Sequence, residues 1–150
     1  MKKLLLLLLF IPLVSFGQEN QKKNKTFVET FNELLQNQAN LEDVPMFRSC
    51  KNVIKSERRK CFQNKINNHI SKHFYYPKYA TNRGIQGSVF IQFIIEKDGS
   101  INEINARGPD KSLEDAAVKI INKLPKMIPG KINEKPVRVP FSVSITYRLR

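Results

Sequence analysis

Residues 137–150 read VRVPFSVSITYRLR, in which apolar and polar side chains alternate strictly. The odd positions are apolar from Val137 to Leu149, and the even positions carry arginine, proline, serine or threonine. A period of two predicts a β-strand with one buried and one solvated face. Pro140 has no N–H for a neighbouring strand, so a strand that contains it belongs at the margin of a sheet. An unpaired edge of this kind either needs protection or serves as a docking site.

Two more strands are predicted upstream, over 88–96 and 101–107. The pair Asp98-Gly99 between them is a hairpin signal. The first of these strands has apolar residues on one face and further apolar residues on the other, a composition that suits a central strand.

Helices are predicted where apolar residues recur at helical spacing, over 57–74 and 113–124. Asp110 or Ser112 is placed to cap the second of them. A short amphipathic helix is also predicted over 26–36. The order of the main elements is then helix, strand, strand, helix, strand.

This order constrains the topology. A helix as long as the sheet carries the chain back, so the third strand runs antiparallel to the first. The predicted fold is α+β with two layers: a three-stranded antiparallel sheet in the order 2-1-3, with the two longer helices packed on one face.

The N-terminus has the features of a secretory signal peptide. Two lysines at positions 2 and 3 precede an apolar run over 4–14, and Ser15-Phe16-Gly17 forms a small-x-small signal for cleavage after Gly17. The apolar run is shorter than the roughly 20 residues that span a membrane. We therefore expect export to the periplasm, with an inner-membrane association as the alternative if the leader is retained.

The chain is strongly basic, with a formal net charge of +13 that falls to +11 without Lys2 and Lys3. Such a charge favours acidic partners or anionic surfaces. No nucleic-acid motif accompanies it, and an exported protein rarely meets nucleic acid, so none is predicted as a partner. Anionic envelope polymers such as peptidoglycan suit the charge better.

Cys50 and Cys61 are the two cysteines of the chain. In an oxidising compartment a structural disulfide is the default interpretation. Ten residues separate the two, too many for a CxxC redox motif. Free thiols, metal ligands and a reactive pair remain as alternatives.

Catalytic and metal-binding patterns are weak. His69 and His73 lie four apart on a predicted helix, a spacing that can present two imidazoles to one metal, but no HExxH glutamate or third ligand accompanies them. Two surface histidines are the simpler interpretation. Ser142 and Ser144 have no nearby base. We therefore expect neither an enzyme, nor a bound metal, nor a cofactor.

Several motifs occur in a specific order over about Tyr75–Leu149. They are Tyr76-Pro77-x-x-Ala80, Gly84-Ile85-Gln86-Gly87-Ser88-Val89, Lys97-Asp98-Gly99-Ser100-Ile101, Leu113-Glu114-x-Ala116-Ala117, Pro129-Gly130-Lys131 and Lys135-Pro136-Val137. This pattern resembles the C-terminal domain of TonB, the periplasmic energy transducer of Gram-negative bacteria. The arrangement of Cys50 and Cys61 looks like the variant of this domain common in Bacteroidetes. The chain then divides into a leader (1–17), a polar lead-in with a short helix (18–45) and a TonB C-terminal-like domain (46–150, core 75–149).

The resemblance implies a binding mechanism. Family members bind the TonB box, an extended segment of outer-membrane transporters, as an extra strand beside the last strand of the domain. Because Pro140 cannot donate, the even positions are expected to face the open edge, so Ser142, Ser144 and Thr146 would pair with the partner. Arg148 would be available to an acidic side chain. The family pattern adds Tyr76 and Pro77 to the site.

The sequence departs from full-length transducers. It has a predicted signal peptide in place of a membrane anchor, and it lacks the long Pro-rich spacer. We therefore expect a stand-alone periplasmic module that captures transporter segments. The alternative is a structural or adhesive envelope domain that binds peptidoglycan or a protein complex through its basic surface. Self-association through the edge strand also remains open.

Overall fold

The computed structural model describes residues 25–150, and the predicted leader over 1–17 lies outside this range. Its regular elements, in chain order, are α1 Phe27–Asn37, α2 Arg58–His73, α3 Lys78–Asn82, β1 Gly87–Ile95, β2 Ile101–Arg107, α4 Lys111–Asn122, β3 Gly130–Ile132, β4 Lys135–Val137 and β5 Val139–Tyr147. Short 3-10 turns join α1 to α2. Among the described helices, none is both long and apolar enough to cross a bilayer.

The main sheet has three antiparallel strands in the order β2-β1-β5, which confirms the predicted topology. β1 is central, as its apolar composition indicated. It pairs with β5 along its whole length, from Gly87 opposite Tyr147 to Ile95 opposite Val139. The register between β1 and β5 has no irregularity, and β5 lies at the margin of the sheet.

Helices α2 and α4 cover one face of the sheet, as predicted. α4 begins at Asp110, whose carboxylate accepts the Ser112 N–H at 2.8 Å. The apolar stripe of α4 is fully buried, and α2 contributes Phe62 and Ile66 to the same core. Sheet residues at every second position, including Ile91 and Val143, complete this core.

The disulfide between Cys50 and Cys61 is present, with the two Cα atoms 6.0 Å apart. It confirms the sequence-based pairing. The bridge ties the 3-10 turn Arg48–Cys50 to the first turn of α2. Both cysteines pack on the core, where Cys50 is fully buried.

The region before β5 differs from the prediction. The stretch after Pro129 forms a two-stranded hairpin, β3-β4, where the sequence predicted a turn and a polar connection. Its turn uses Asn133 and Glu134, both with positive φ. β5 is therefore shorter than the predicted 137–150, since Val137 belongs to β4.

Helix α1 confirms the short helix predicted near the N-terminus. Its first turn carries a capping box, in which the Glu29 N–H donates to Thr26 Oγ1 at 3.3 Å and the Thr26 N–H donates to Glu29 Oε2 at 3.1 Å. α1 contacts β5 and lies on the face away from α2 and α4. Phe31 of α1 is buried, and so is Ile94, which points to that face. The sheet is thus covered on its second face at one end.

The chain between α1 and α2 adds to the β3-β4 hairpin. Asp43 bridges to Lys131, and Met46 bridges to Ile128, both antiparallel. The Met46 N–H donates to Ile128 O at 3.0 Å, and the Ile128 N–H donates back at 2.8 Å. This pairing fixes residues 38–45 beside the N-terminal end of β5, where they frame the candidate site.

Candidate functional site

One long side of β5 is open. β5 pairs with β1, and no other strand of residues 25–150 lies beside it. The open side exposes main-chain groups that a further strand can bind. The sequence predicted this position from Pro140 and from the 2-1-3 strand order.

The direction of the free groups follows from a hydrogen bond at Pro140. The side chain of Gln38 donates from Nε2 to Pro140 O at 2.7 Å, so this carbonyl points away from β1. In an extended strand the N–H and C=O of one residue share a side, and those of its neighbours take the other. The N–H and C=O groups of Ser142, Ser144 and Thr146 therefore face outward with the Pro140 carbonyl.

The side chains of the same residues lie on the sheet face opposite the core. Ser142, Ser144 and Thr146 are all exposed. Thr146 Oγ1 lies 2.9 Å from the hydroxyl of Ser88 on β1. Their neighbours Val143 and Ile145 are buried against the helices. The open edge thus offers main-chain donors and acceptors beside small polar side chains.

The remaining predicted site residues lie towards the C-terminal end of β5. Arg148 is exposed just beyond the strand. The Tyr76 ring packs edge-on against the Tyr147 ring, with centroids 5.4 Å apart, and its hydroxyl donates to Ile85 O. Pro77 O accepts the Thr81 N–H at the start of α3. The structure brings the serines and Thr146 together on one edge, and it places Tyr76 and Pro77 on the helix side of Tyr147.

Phe74 is the last residue of the helix predicted over 57–74. It follows the last turn of α2, is 41% exposed and packs on the Tyr147 ring at 5.1 Å. Its backbone is already extended, because the helix ends at His73. The run of aromatic residues before Pro77 is the sequence feature that could have indicated this position. Phe74 is an exposed aromatic surface near the end of the open strand.

Tyr147 is buried at the same end. Burial, and then the nearby Tyr75 and Tyr76, raise the pKa of its phenol to about 12. Its hydroxyl has no hydrogen-bond partner among the described residues. The phenol is therefore neutral near pH 7, and the residue packs rather than transfers protons.

The other end of β5 is held by an ion-pair cluster. Arg138 donates to Glu96 at 2.9 Å and to Glu103 at 2.8 Å. Hydrogen bonds to Glu96, and then to Glu103, raise the pKa of the guanidinium. These pairs join the β4-β5 corner to the end of β1 and to β2.

The histidine pair has a structural position. His69 and His73 are half-buried rather than free on the surface. His69 Nε2 donates to Ile120 O at 2.9 Å, which joins α2 to α4. Burial, then His69, Lys123 and Lys72, lower the pKa of His73. Residues 25–150 contain no cluster of three potential ligands suited to a metal ion.

Comparison with known proteins identifies the family of this chain. A family model described as "Gram-negative bacterial TonB protein C-terminal" matches residues 72–149, just over half of the chain. The chain belongs to the TonB C-terminal family. The match contains all of β1 to β5 together with α3 and α4, so the open edge is part of the TonB domain itself.

Curated relatives include the TonB proteins of two Helicobacter pylori strains, J99 and 26695, each 31% identical over 86 residues. The aligned stretch covers 56% of this chain but about a third of theirs, 31% and 30%. Two solution structures of the Helicobacter pylori TonB C-terminal domain are also similar. They are 28% and 32% identical, with TM-scores of 0.48 and 0.43, and cover 69% and 59% of this chain and 91% and 94% of theirs.

Proposed function

We propose that this TonB C-terminal domain binds the TonB box of TonB-dependent outer-membrane transporters by strand addition to β5. The observation that carries the proposal is the open edge, on which three successive outward residues, Ser142, Ser144 and Thr146, have free main-chain groups. Strand addition takes its affinity largely from such groups. Membership of the TonB family, which is associated with transport, supports the same partner class.

The proposed mechanism is binding without catalysis. The partner segment is extended and pairs with the backbone from Ser142 to Thr146. Arg148 lies next along the chain, where it is available to an acidic side chain of the partner. Phe74 offers an aromatic surface near Tyr147 for an apolar side chain. Tyr76 supports this end of β5 through its packing on Tyr147.

The test substitutes proline at two neighbouring positions of β5. Ser144→Pro removes an outward N–H and is expected to weaken binding of transporter N-terminal peptides at least about tenfold, with the fold retained. Val143→Pro removes an inward N–H, so it should unfold the sheet. Ser144→Ala keeps the N–H and is the matched control with unchanged affinity. Titration calorimetry measures binding, and unaltered affinity in a folded Ser144→Pro protein rejects the proposal.

A second candidate function is adhesion to an anionic envelope polymer such as peptidoglycan. Residues 48–83 contain ten lysines and arginines but one acidic residue, Glu57. Adhesion through this charge should fade as ionic strength rises from about 0.05 to 0.5 M, whereas strand addition should persist. Co-sedimentation with purified sacculi across this range separates the two functions.

The proposed location is the periplasm, after export and cleavage following Gly17. Intact mass of the exported protein should then correspond to a chain that begins at Gln18. Retention of residues 1–17 in a membrane fraction would instead favour an anchored, force-transmitting protein.

A further inference from the structure

A pocket of about 440 Å³ lies beside the N-terminal end of the open edge. We call it the edge pocket. One wall is the 38–45 segment, and the opposite wall is the first half of α2. Its apolar surface includes Val44, Pro45, Phe62 and Phe141. Most of its residues precede the part of the chain that matches the TonB family model, so the pocket depends on the N-terminal half of this protein.

The edge pocket is continuous with the open edge through Gln38. This side chain lines the pocket and also binds Pro140 O on the outward side of β5. Pro140 precedes Ser142 by two residues, or about 7 Å of strand. A partner strand that pairs with Ser142 and continues in this direction meets Gln38, because the next outward carbonyl is occupied. Its following residues are then directed into the pocket.

The chemistry of the edge pocket selects a particular kind of side chain. Its floor is aromatic and aliphatic, with the Phe62 and Phe141 rings packed edge-on at 4.8 Å. Arg59 is its charged lining residue, and it is exposed. Within residues 25–150, Arg59 makes no salt bridge, while the nearby Asp43 is paired with Arg58 at 3.4 Å and Lys55 at 3.8 Å. A carboxylate can therefore bind Arg59 without breaking an existing ion pair.

We infer that the edge pocket binds the end of the captured transporter segment, with an apolar side chain on its floor and an adjacent carboxylate at Arg59. The inference rests on the proposed strand addition to β5. It adds a sequence preference to an interaction that main-chain pairing alone leaves unselective. A peptide with an apolar-acidic pair at the end nearest Phe141 binds more tightly than one without it.

The probes are synthetic peptides with a common strand-forming core, Thr-Val-Thr-Val-Thr-Val. One pair carries Leu-Glu at the N-terminus or the C-terminus, and a matched pair carries Thr-Thr at the same ends. We expect Leu-Glu to raise affinity by roughly tenfold at one of the two ends, through apolar burial and charge pairing. The end that gains reports the direction of the added strand. Fluorescence anisotropy measures all four peptides.

Two variants of the protein, each with a matched control, locate the gain. Arg59→Glu should remove most of it, whereas Lys60→Glu makes the same charge change about 100° round the helix and should leave it intact. Ala39→Trp fills part of the pocket from the 38–40 turn and should lower the gain, whereas Asn40→Trp lies outside the lining and should leave the gain intact. Neither Arg59 nor Ala39 belongs to the buried core, so folded protein is expected in each case.

The outcomes separate this inference from the proposed function. The inference about the edge pocket is overturned if the Leu-Glu and Thr-Thr peptides bind equally at both ends. It is also overturned if Lys60→Glu loses as much of the Leu-Glu gain as Arg59→Glu does. If the Thr-Thr peptides bind the parent protein and bind Ser144→Pro more weakly, strand addition stands without the pocket. If Ser144→Pro leaves the affinity of all four peptides unchanged, strand addition is rejected, and a retained Leu-Glu gain assigns binding to the pocket itself. A stable dimer that the peptides do not dissociate overturns the inference in favour of a second copy of the chain.

Discussion

At the scale of single residues, Gly99 holds the β1-β2 turn in a conformation that suits glycine. Its φ is +85°, and an added Cβ would lie 1.7 Å from Met127 O. Gly99 O also accepts the Met127 N–H at 2.9 Å. The Asp98-Gly99 turn is therefore also a packing site. The chain that follows α4 crosses the turn at this point.

Gly99→Ala should lower the free energy of unfolding by more than about 2 kcal/mol, because strain at positive φ adds to a clash with backbone. Gly84→Ala is the matched control. Gly84 also has positive φ, at +65°, but nothing lies within 4 Å of its added Cβ. Gly84→Ala should therefore lower the free energy of unfolding by about 1 kcal/mol. Chemical denaturation measures both, and equal losses would contradict the packing argument.

The environment of Asp110 predicts how the stability of the fold depends on pH. Hydrogen bonds from the Ser112 hydroxyl, and then from its N–H, lower the pKa of the Asp110 carboxyl. A depressed folded-state pKa means that the carboxylate stabilises the fold above pH 4 or so and that this contribution is lost as the pH falls further. Asp110→Asn keeps a capping side chain but does not titrate. Its melting temperature should therefore fall less between pH 5 and 3 than that of the parent protein. Asp110→Ala should melt a few degrees lower at pH 7. An unchanged pH profile in Asp110→Asn would contradict the assignment.

At the scale of elements, α2 has few apolar residues and depends on its tertiary connections. Phe62 and Ile66 are the residues that it buries fully. The Cys50–Cys61 disulfide holds its first turn, and His69 holds its second half to Ile120. The α2 residues that line the edge pocket, Arg59, Phe62 and Gln63, lie in the first half of the helix, on either side of Cys61.

Replacing both Cys50 and Cys61 with alanine should lower the free energy of unfolding by about 2 to 3 kcal/mol, because the unfolded chain regains the entropy of an open loop. Hydrogen exchange in the first turn of α2 should accelerate most. The reduced parent protein is the control and should behave like the double variant. Unchanged stability after full reduction would show that the packing of Phe62 alone holds the helix.

At the scale of the whole molecule, α1 makes the protein a partly three-layered structure. Phe31 is 3% exposed, whereas Val28 on the same helix is 58% exposed. The buried Phe31 and Ile94 lie on the face away from the main core. Residues before the predicted boundary at 45 thus pack against the domain, and truncation at that boundary tests whether the rest folds alone.

Phe31→Ala should lower the free energy of unfolding by roughly 3 kcal/mol, as expected for a buried aromatic side chain. Val28→Ala, the exposed control, should change it by less than about 0.5 kcal/mol. Thermal and denaturant unfolding check both values. A negligible effect of Phe31→Ala would mean that α1 is an independent attachment rather than part of the cooperative unit.

The candidate site was partly predictable. Pro140 marked β5 as an edge strand and indicated which side is open, and the direction of its carbonyl agrees. The role of Ser142, Ser144 and Thr146 in binding stays a prediction. The bond from Gln38 was not foreseeable, because an amide side chain carries no periodic signal. Phe74 was included in the predicted helix because helical spacing alone cannot show that the helix ends before it.

The sequence by itself determined the sheet order and the identity of the edge strand, because alternation, the two-sided apolar strand β1 and Pro140 are local properties of the chain. Only the tertiary structure decided what lies beside that edge. Gln38 and Pro140 are 102 residues apart, yet they form a hydrogen bond. Their meeting depends on the disulfide, on the bridges to the β3-β4 hairpin and on the packing of α1. None of these contacts follows from a local sequence pattern, and they form together only when the chain is folded.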